Sequence, residues 1–415
     1  MTAILTRADP TPDEARVTTT RRGWNSKLLM SRICGMAKLD RRVRAFAWLF
    51  AHSPGGSVDQ MTPEKIVKAQ ELLAGHGRLT AGVTGRLAKG VTTIDRVIEQ
   101  GDERVPVRIY RAAAQEPDSP VVIYFHGGGW TLGALDHSDW LCSQVCLGVG
   151  AVVVSVDYRL APLHRFPNAV LDSVAAVNWV ALHAAELSAD PTRIAVMGDS
   201  AGGNLAAVVC QLLRDRGGPA IAHQSLLYPA TDLRTPEDFD STAPARTDYP
   251  ILSSAVMLTF RDQYLGSDGD AHSPMASPIL AQDLSGLPPA LIQVAEYDPL
   301  RDDGIRYARA LEHAGNRVRL TEYVGMPHGY FSFPTVIRGS VRQALAEVCA
   351  QQRLALYPVP SPDHGPRTGQ AESTGAAHRD SVGGGAVDPA ASRPVGDHQI
   401  GQLPIPQHHA SPTGR

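Results

Sequence analysis

The spacing of apolar positions changes character several times along the 415-residue chain. Residues 1 to about 24 carry no sustained apolar pattern. Pro10, Pro12 and the run Thr18-Thr19-Thr20 mark residues 1–24 as a flexible arm. From Leu29 the spacing becomes helical: Leu29, Ile33, Met36, Leu39, Val43, Phe46 and Phe50 recur at steps of 4, 3, 3, 4, 3 and 4, and Pro54-Gly55-Gly56 closes the run. A second helix is expected from the N-cap-like Thr62, with Pro63 and Glu64 behind it, to Gly75. From about residue 91 the period shortens. VTTIDRVIE and VPVRIYR read as two strands joined at Gly101-Asp102-Glu103.

After that hairpin, short β-rich runs alternate with helical patterns. The expected strands are VVIYF (121–125), AVVVSV (151–156), RIAVM (193–197), SLLYP (225–229), ALIQVA (290–295) and RVRLTEYV (317–324). Helical patterns cover 167–185, 202–214, 303–314 and 338–355. This alternation predicts an α/β fold with a mostly parallel sheet covered on both faces. The interval 231–287 breaks the rhythm, is rich in Pro, holds one helix-like stretch near 253–265, and reads as an inserted element. Residues 358–415 hold nine Pro, nine Gly and no Phe, Tyr or Trp. That composition reads as a disordered tail. Five histidines fall in it, including His408 and His409; a solvated tail is the simpler reading than a metal-binding one.

Composition narrows the field without naming a function. Apolar residues make up 43%, charged residues 20%, and the formal charge is −3, as in an ordinary globular chain. There is no basic run for nucleic acid, and no apolar run of the ~18 to 20 residues a membrane span needs. Five scattered cysteines (Cys34, Cys142, Cys146, Cys210, Cys349) make no disulfide framework. Cys142 and Cys146 can share a helix face as small apolar residues. The start MTAILTRADPTPDE has no secretory pattern, so a cytoplasmic location is expected. The first predicted helix is basic, with Lys27, Arg32, Lys38, Arg41, Arg42 and Arg44 against Asp40. A helix of this kind at 26–51 suits weak contact with a membrane surface; the competing reading is a solvated polar face.

The chemistry concentrates in four short stretches. Gly198-Asp199-Ser200-Ala201-Gly202-Gly203 follows an apolar run and precedes a helical one. This is G-x-S-x-G in the strand–turn–helix setting that exposes a strained serine above a sheet. Gly198 and Gly202 are expected where a Cβ would collide with the neighbouring strand and helix. His126-Gly127-Gly128-Gly129-Trp130 follows VVIYF, and glycines at a strand end let N–H groups face a developing negative charge. A serine nucleophile needs a base, and the base an orienting partner. Asp298 follows ALIQVA, and His328 follows RVRLTEYV. The order Ser200, Asp298, His328, at intervals of 98 and 30 residues, is that of α/β-hydrolases. Asp302 is the fallback acid, with Asp303 beside it.

Taken together, HGGGW, DYRLAP (157–162), GDSAGG, EYDPLRDDG (296–304) and PHGY (327–330) resemble the hormone-sensitive lipase family of α/β-hydrolases over about residues 26–356. The resemblance implies a serine carboxylic-ester hydrolase acting on a small-molecule ester. It gives Ser200 as nucleophile, His328 as general base and acid, Asp298 as the orienting carboxylate, and the N–H groups of Gly128, Gly129 and Ala201 as an oxyanion hole. Residues His126, Gly127 and Asp199 support the motifs. No metal and no cofactor is implied. A hydrolase unit over 25–357 with a cap from about 26–80 and 231–287 is expected. Leu163-His164 departs from the family's usual Glu-His after DYRLAP, which is expected to affect loop packing. The same triad would serve an amide deacylase or a long-chain lipase. A non-catalytic small-molecule receptor, as the gibberellin receptor shows for this family, fits less well because His328 is retained.

Overall fold

The computed structural model describes residues 16–19, 30–34, 62–73, 77–101, 103–234 and 251–357. Its strands are β1 (Arg16–Thr19), β2 (Met30–Cys34), β3 (Val91–Gln100), β4 (Glu103–Ala112), β5 (Ser119–Phe125), β6 (Val152–Val156), β7 (Ala189–Asp199), β8 (Ile221–Leu227), β9 (Ala290–Tyr297) and β10 (Val318–Pro327). The helices are α1 (Pro63–Leu73), α2 (Gly77–Thr84), α3 (Asp139–Val145), α4 (Asn168–Leu182), α5 (Ala201–Arg216), α6 (Ser254–Leu265), α7 (Arg301–His313) and α8 (Arg338–Leu356). The sheet order is β1-β2-β10-β9-β8-β7-β5-β6-β4-β3. All neighbours from β6 through β5, β7, β8, β9 and β10 to β2 are parallel. The predicted hairpin forms, with β3 antiparallel to β4 from Val91↔Ala112 to Gln100↔Glu103.

Strands β5 and β6 are buried at every position. They read as unbroken apolar runs because helices cover both faces, leaving no solvent side to demand alternation. Successive side chains still divide between two cores. Val121, Ile123, Phe125 and Val154 pack with residues of α4, α5 and α7. Val122, Tyr124 and Val153 pack with residues of α3 and α8. The helical readings at 167–185, 202–214, 303–314, 338–355 and near 253–265 match α4, α5, α7, α8 and α6 within a few residues.

Two N-terminal readings need correction. Met30–Cys34, inside the helix expected over 26–51, is a strand that pairs with β10 from Leu320↔Met30 to Val324↔Cys34. Arg16–Thr19, inside the expected flexible arm, pairs antiparallel with β2. An open sheet edge offers a row of main-chain donors and acceptors, and pairing with it outweighs a side-chain spacing that would equally suit a helix. Residues 35–51 and 358–415 lie outside the described residues, as do 235–250 of the inserted interval. The expected helix from Thr62 is α1, where Thr62 Oγ1 accepts from Lys65 N at 3.4 Å. Among the described residues no helix is long and apolar enough to cross a membrane.

Candidate active site

The site is built at the C-terminal ends of β5, β7, β9 and β10, where ligands bind in open parallel sheets. At the end of β7 the chain turns from strand to helix on one residue. Ser200 has φ 54° and ψ −117°, a conformation L side chains rarely adopt. Its N–H donates to Leu227 O at 2.8 Å, and its carbonyl accepts from Asn204 N at 3.1 Å. Neighbouring glycines let the turn close. A Cβ at Gly202 would stand 1.9 Å from Phe125 O, and one at Gly198 would stand 2.1 Å from Gly202 O. The sequence reading of these two positions as close approaches therefore has a direct geometric cause.

The other two chemistry-bearing side chains come from neighbouring strand ends. Asp298 follows β9 and is fully buried; His328 follows β10 and is 8% exposed. His328 Nε2 lies 2.9 Å from Ser200 Oγ, and His328 Nδ1 lies 2.8 Å from Asp298 Oδ2. Asp298 Oδ1 accepts from Leu300 N at 2.8 Å, so both carboxylate oxygens are fixed. A carboxylate can only accept, so Nδ1 carries the ring proton and Nε2 is left to accept from the serine hydroxyl. The Tyr228 ring meets the imidazole edge-to-face at 5.0 Å. The neighbouring acids point elsewhere. Asp302 pairs with Arg301. Asp303, fully buried, accepts from the N–H groups of Thr231 and Asp232, and burial pushes its carboxyl up to about 7.

The glycine loop after β5 is held from beneath and behind. Asp199 Oδ1 accepts from Gly127 N at 2.8 Å and from Tyr124 Oη at 2.5 Å. Burial holds the Asp199 carboxyl above the usual carboxylate range. A Cβ at Gly127 would stand 2.5 Å from Asp199 Oδ2, so only glycine lets this carboxylate sit under the loop. His126 Nδ1 donates to Gly127 O at 2.8 Å, and burial lowers the pKa of its imidazole. That ring stacks on Tyr158 with centroids 4.3 Å apart, and Tyr158 Oη donates to His126 O at 2.6 Å. Arg159 grips the buried Asp172, and Ala161 N donates to Trp130 O at 2.9 Å. DYRLAP is thus the outer scaffold of the glycine loop. Leu163, the first residue of the departure after it, is 66% exposed and contributes little packing.

Gly128, Gly129, Ser200, Ala201 and His328 border one cavity of about 420 Å³, and residues of α6, Phe260 among them, line it as well. Such a constellation can remove a hydroxyl proton as the oxygen attacks an electrophilic carbon and then return that proton to a leaving group. Sequence reasoning did not find Tyr124, Tyr228 or Phe260. A tyrosine in the aliphatic run VVIYF, one residue before the strand end, was the available signal for Tyr124. Phe260 carried none, because its partner is distant in sequence.

Comparison with known proteins agrees with this geometry. A family model for the alpha/beta hydrolase fold matches residues 122–332. Carboxylesterase NlhH of Mycobacterium tuberculosis is 48% identical over 258 residues, which is 61% of this chain and 79% of the relative. Ethyl acetate hydrolase of Pseudomonas putida is 34% identical over 70% of this chain and 92% of its own length. Among solved structures, a thermostable esterase from Pseudomonas putida ECU1011 matches with TM-score 0.70 at 33% identity, covering 78% of this chain and 99% of that one. A hyperthermophilic esterase from the archaeon Pyrobaculum calidifontis matches with TM-score 0.69 at 37% identity, covering 76% and 98%. Motif order, sheet topology and these relatives converge: the chain belongs to the α/β-hydrolase fold family, in its hormone-sensitive-lipase-like branch.

Proposed function

We propose that the protein is a serine carboxylic-ester hydrolase that acts on short- to medium-chain acyl esters. The observation that carries this reading is the continuous hydrogen-bonded chain Ser200–His328–Asp298, opening on a glycine-walled cavity. Ser200 Oγ attacks the ester carbonyl while His328 Nε2 takes its proton. Asp298 holds the ring in the tautomer this requires and stabilises the imidazolium that forms. Negative charge gathers on the carbonyl oxygen, within reach of the N–H groups of Gly128, Gly129 and Ala201. His328 then protonates the departing alkoxide. A water molecule, deprotonated by the same nitrogen, releases the acid from Ser200.

Ester chemistry is also what the relatives' names describe, carboxylesterase and ethyl acetate hydrolase among them. The preference for shorter acyl chains is supported by the cavity, which α6 walls close to the glycine loop. Ser200→Ala is expected to lower turnover of an aryl acetate by on the order of 10⁴-fold or more and to abolish labelling by a fluorophosphonate probe. Retention of a substantial fraction of wild-type turnover sinks the assignment. Rates across aryl esters from acetyl to palmitoyl test the chain-length reading, which predicts a maximum at the short end; a maximum at palmitoyl makes the protein a long-chain lipase instead.

A further inference from the structure

We propose that α6 positions the glycine loop, and that Phe260 is the positioning residue that fixes Gly129. This inference rests on the ester-hydrolase reading and deepens it. A Cβ built on Gly129 would stand 2.2, 2.4 and 2.7 Å from Cγ, Cδ2 and Cδ1 of Phe260. The aromatic ring therefore occupies the space immediately beside the Gly129 backbone. One turn further along the helix, Tyr264 stacks on Trp130, with centroids 4.4 Å apart and planes 6° from parallel. Residues i and i+4 of a helix lie on one face. Two successive residues of the loop, 129 and 130, are thus each covered by a ring from the same face of α6.

The loop needs such a cover. Gly128, Gly129 and Trp130 have φ values of 119°, 62° and 57°, three consecutive residues in the positive region. Glycine reaches that region easily but leaves it as easily. The loop's other restraints attach elsewhere: Gly127 N donates to Asp199, Gly128 O accepts from Leu132 N at 2.8 Å, and Trp130 O accepts from Ala161 N. Among the described residues no hydrogen bond holds Gly129. Contact with Phe260 is what keeps its N–H aimed at the site. The helix is itself anchored, because Phe166 N donates to Tyr264 O at 2.8 Å and the Phe166 ring packs edge-on against Tyr264. Phe260 also borders the cavity, so one ring both shapes the substrate space and sets the donor beside it.

The test uses the full chain with Phe260→Leu and Phe260→Ala, and measures kcat and KM for an aryl acetate together with inhibition by an aryl trifluoromethyl ketone. The ketone forms a charged tetrahedral adduct on Ser200 and so reports the donors directly. Loss of a whole oxyanion donor costs roughly 10²–10³ in kcat. A misdirected donor costs less, so Phe260→Ala is expected to lose about 10-fold or more in kcat and in ketone affinity, with KM within about 3-fold. Phe260→Leu is expected to fall between, at about 3-fold. A rise in KM alone, with ketone affinity unchanged, overturns the proposal, because a residue that only lines the pocket behaves that way. If Phe260→Ala does not fold, Phe260→Leu carries the test, and equality with wild type overturns it. A third variant checks the contact itself. The backbone strain of Gly129→Ala is the same in both backgrounds, but its collision with the ring is absent once Phe260 is Ala. Its penalty should therefore be smaller in that background, and equal penalties overturn the proposal. A wild type with no esterase activity defeats the parent reading, and this inference with it. An active wild type with an unaffected Phe260→Ala defeats this inference alone.

Discussion

At the residue scale, three neighbouring acids compete to orient His328. Asp298, Asp302 and Asp303 lie within six positions, and any of them can pair with a histidine. The chain's own geometry separates them. Asp298 sits on the loop before α7, with one oxygen on His328 and the other on Leu300 N. Asp302 and Asp303 are already in the first turn of α7, where one pairs with Arg301 and the other with the Thr231 and Asp232 amides. Asp298→Asn keeps the shape but presents an amide that favours the wrong imidazole tautomer, and kcat for an aryl acetate should fall by on the order of 10⁴. Asp302→Asn should stay within about 3-fold of wild type. Reversal of that order in steady-state kinetics would move the acid to Asp302. The three residues of the hydrogen-bonded chain were legible because each stands at a strand end inside a short motif. Tyr124 and Phe260 were not, because their roles depend on partners 75 and 131 positions away: Asp199 for Tyr124 and Gly129 for Phe260.

At the scale of elements, the serine's exposure depends on how closely β5, β7 and α5 approach one another. Phe125 pairs with Gly198, which brings the end of β5 beside the turn that carries Ser200. Gly202 then passes the Phe125 carbonyl with no room for a side chain. Gly202→Ala forces backbone against backbone, and the variant should lose several kcal/mol of stability or fail to accumulate as folded protein. Gly217 ends the same helix with φ 64° but faces open space, so Gly217→Ala should cost only about 1 kcal/mol. Thermal unfolding of the two variants separates a steric requirement from a conformational one; equal losses would contradict it. The central strands and the helices that cover them were legible from period alone, since burial on both faces leaves a plain apolar signature. Strands β1 and β2 were not, because an edge strand is specified by the partner it joins. The helix α2 was also missed: eight residues, GRLTAGVT, are too few to establish a period.

For the molecule as a whole, buried titratable groups of opposite sign set the response to pH. Burial lowers the pKa values of His126, His137 and His223, the last to about 4. Below about pH 6.5 the unfolded chain binds protons that these imidazoles refuse in the fold, so they make stability rise with pH toward neutrality. Burial raises the carboxyls of Asp199, Asp157 (to about 6) and Asp303 (to about 7). Here the fold keeps protons that the unfolded chain has released from about pH 4 upward, so these groups make stability fall with pH until each folded pKa is passed. The two contributions oppose one another between about pH 4 and 6.5, which flattens the wild-type profile across that window. Asp303→Asn removes the carboxyl that burial raises to about 7 and keeps an oxygen for the Thr231 and Asp232 amides; Asp232 itself borders the cavity beside Ser200. The difference in stability between variant and wild type should move in the variant's favour as pH rises from 5 to 8, by up to a few kcal/mol at about 1.36 kcal/mol per pKa unit. Unfolding curves recorded at pH 5, 6, 7 and 8 measure this difference directly. Parallel pH profiles for the two proteins would show that Asp303 is ionised at all these values, and that its two amide donors outweigh the loss of water around it.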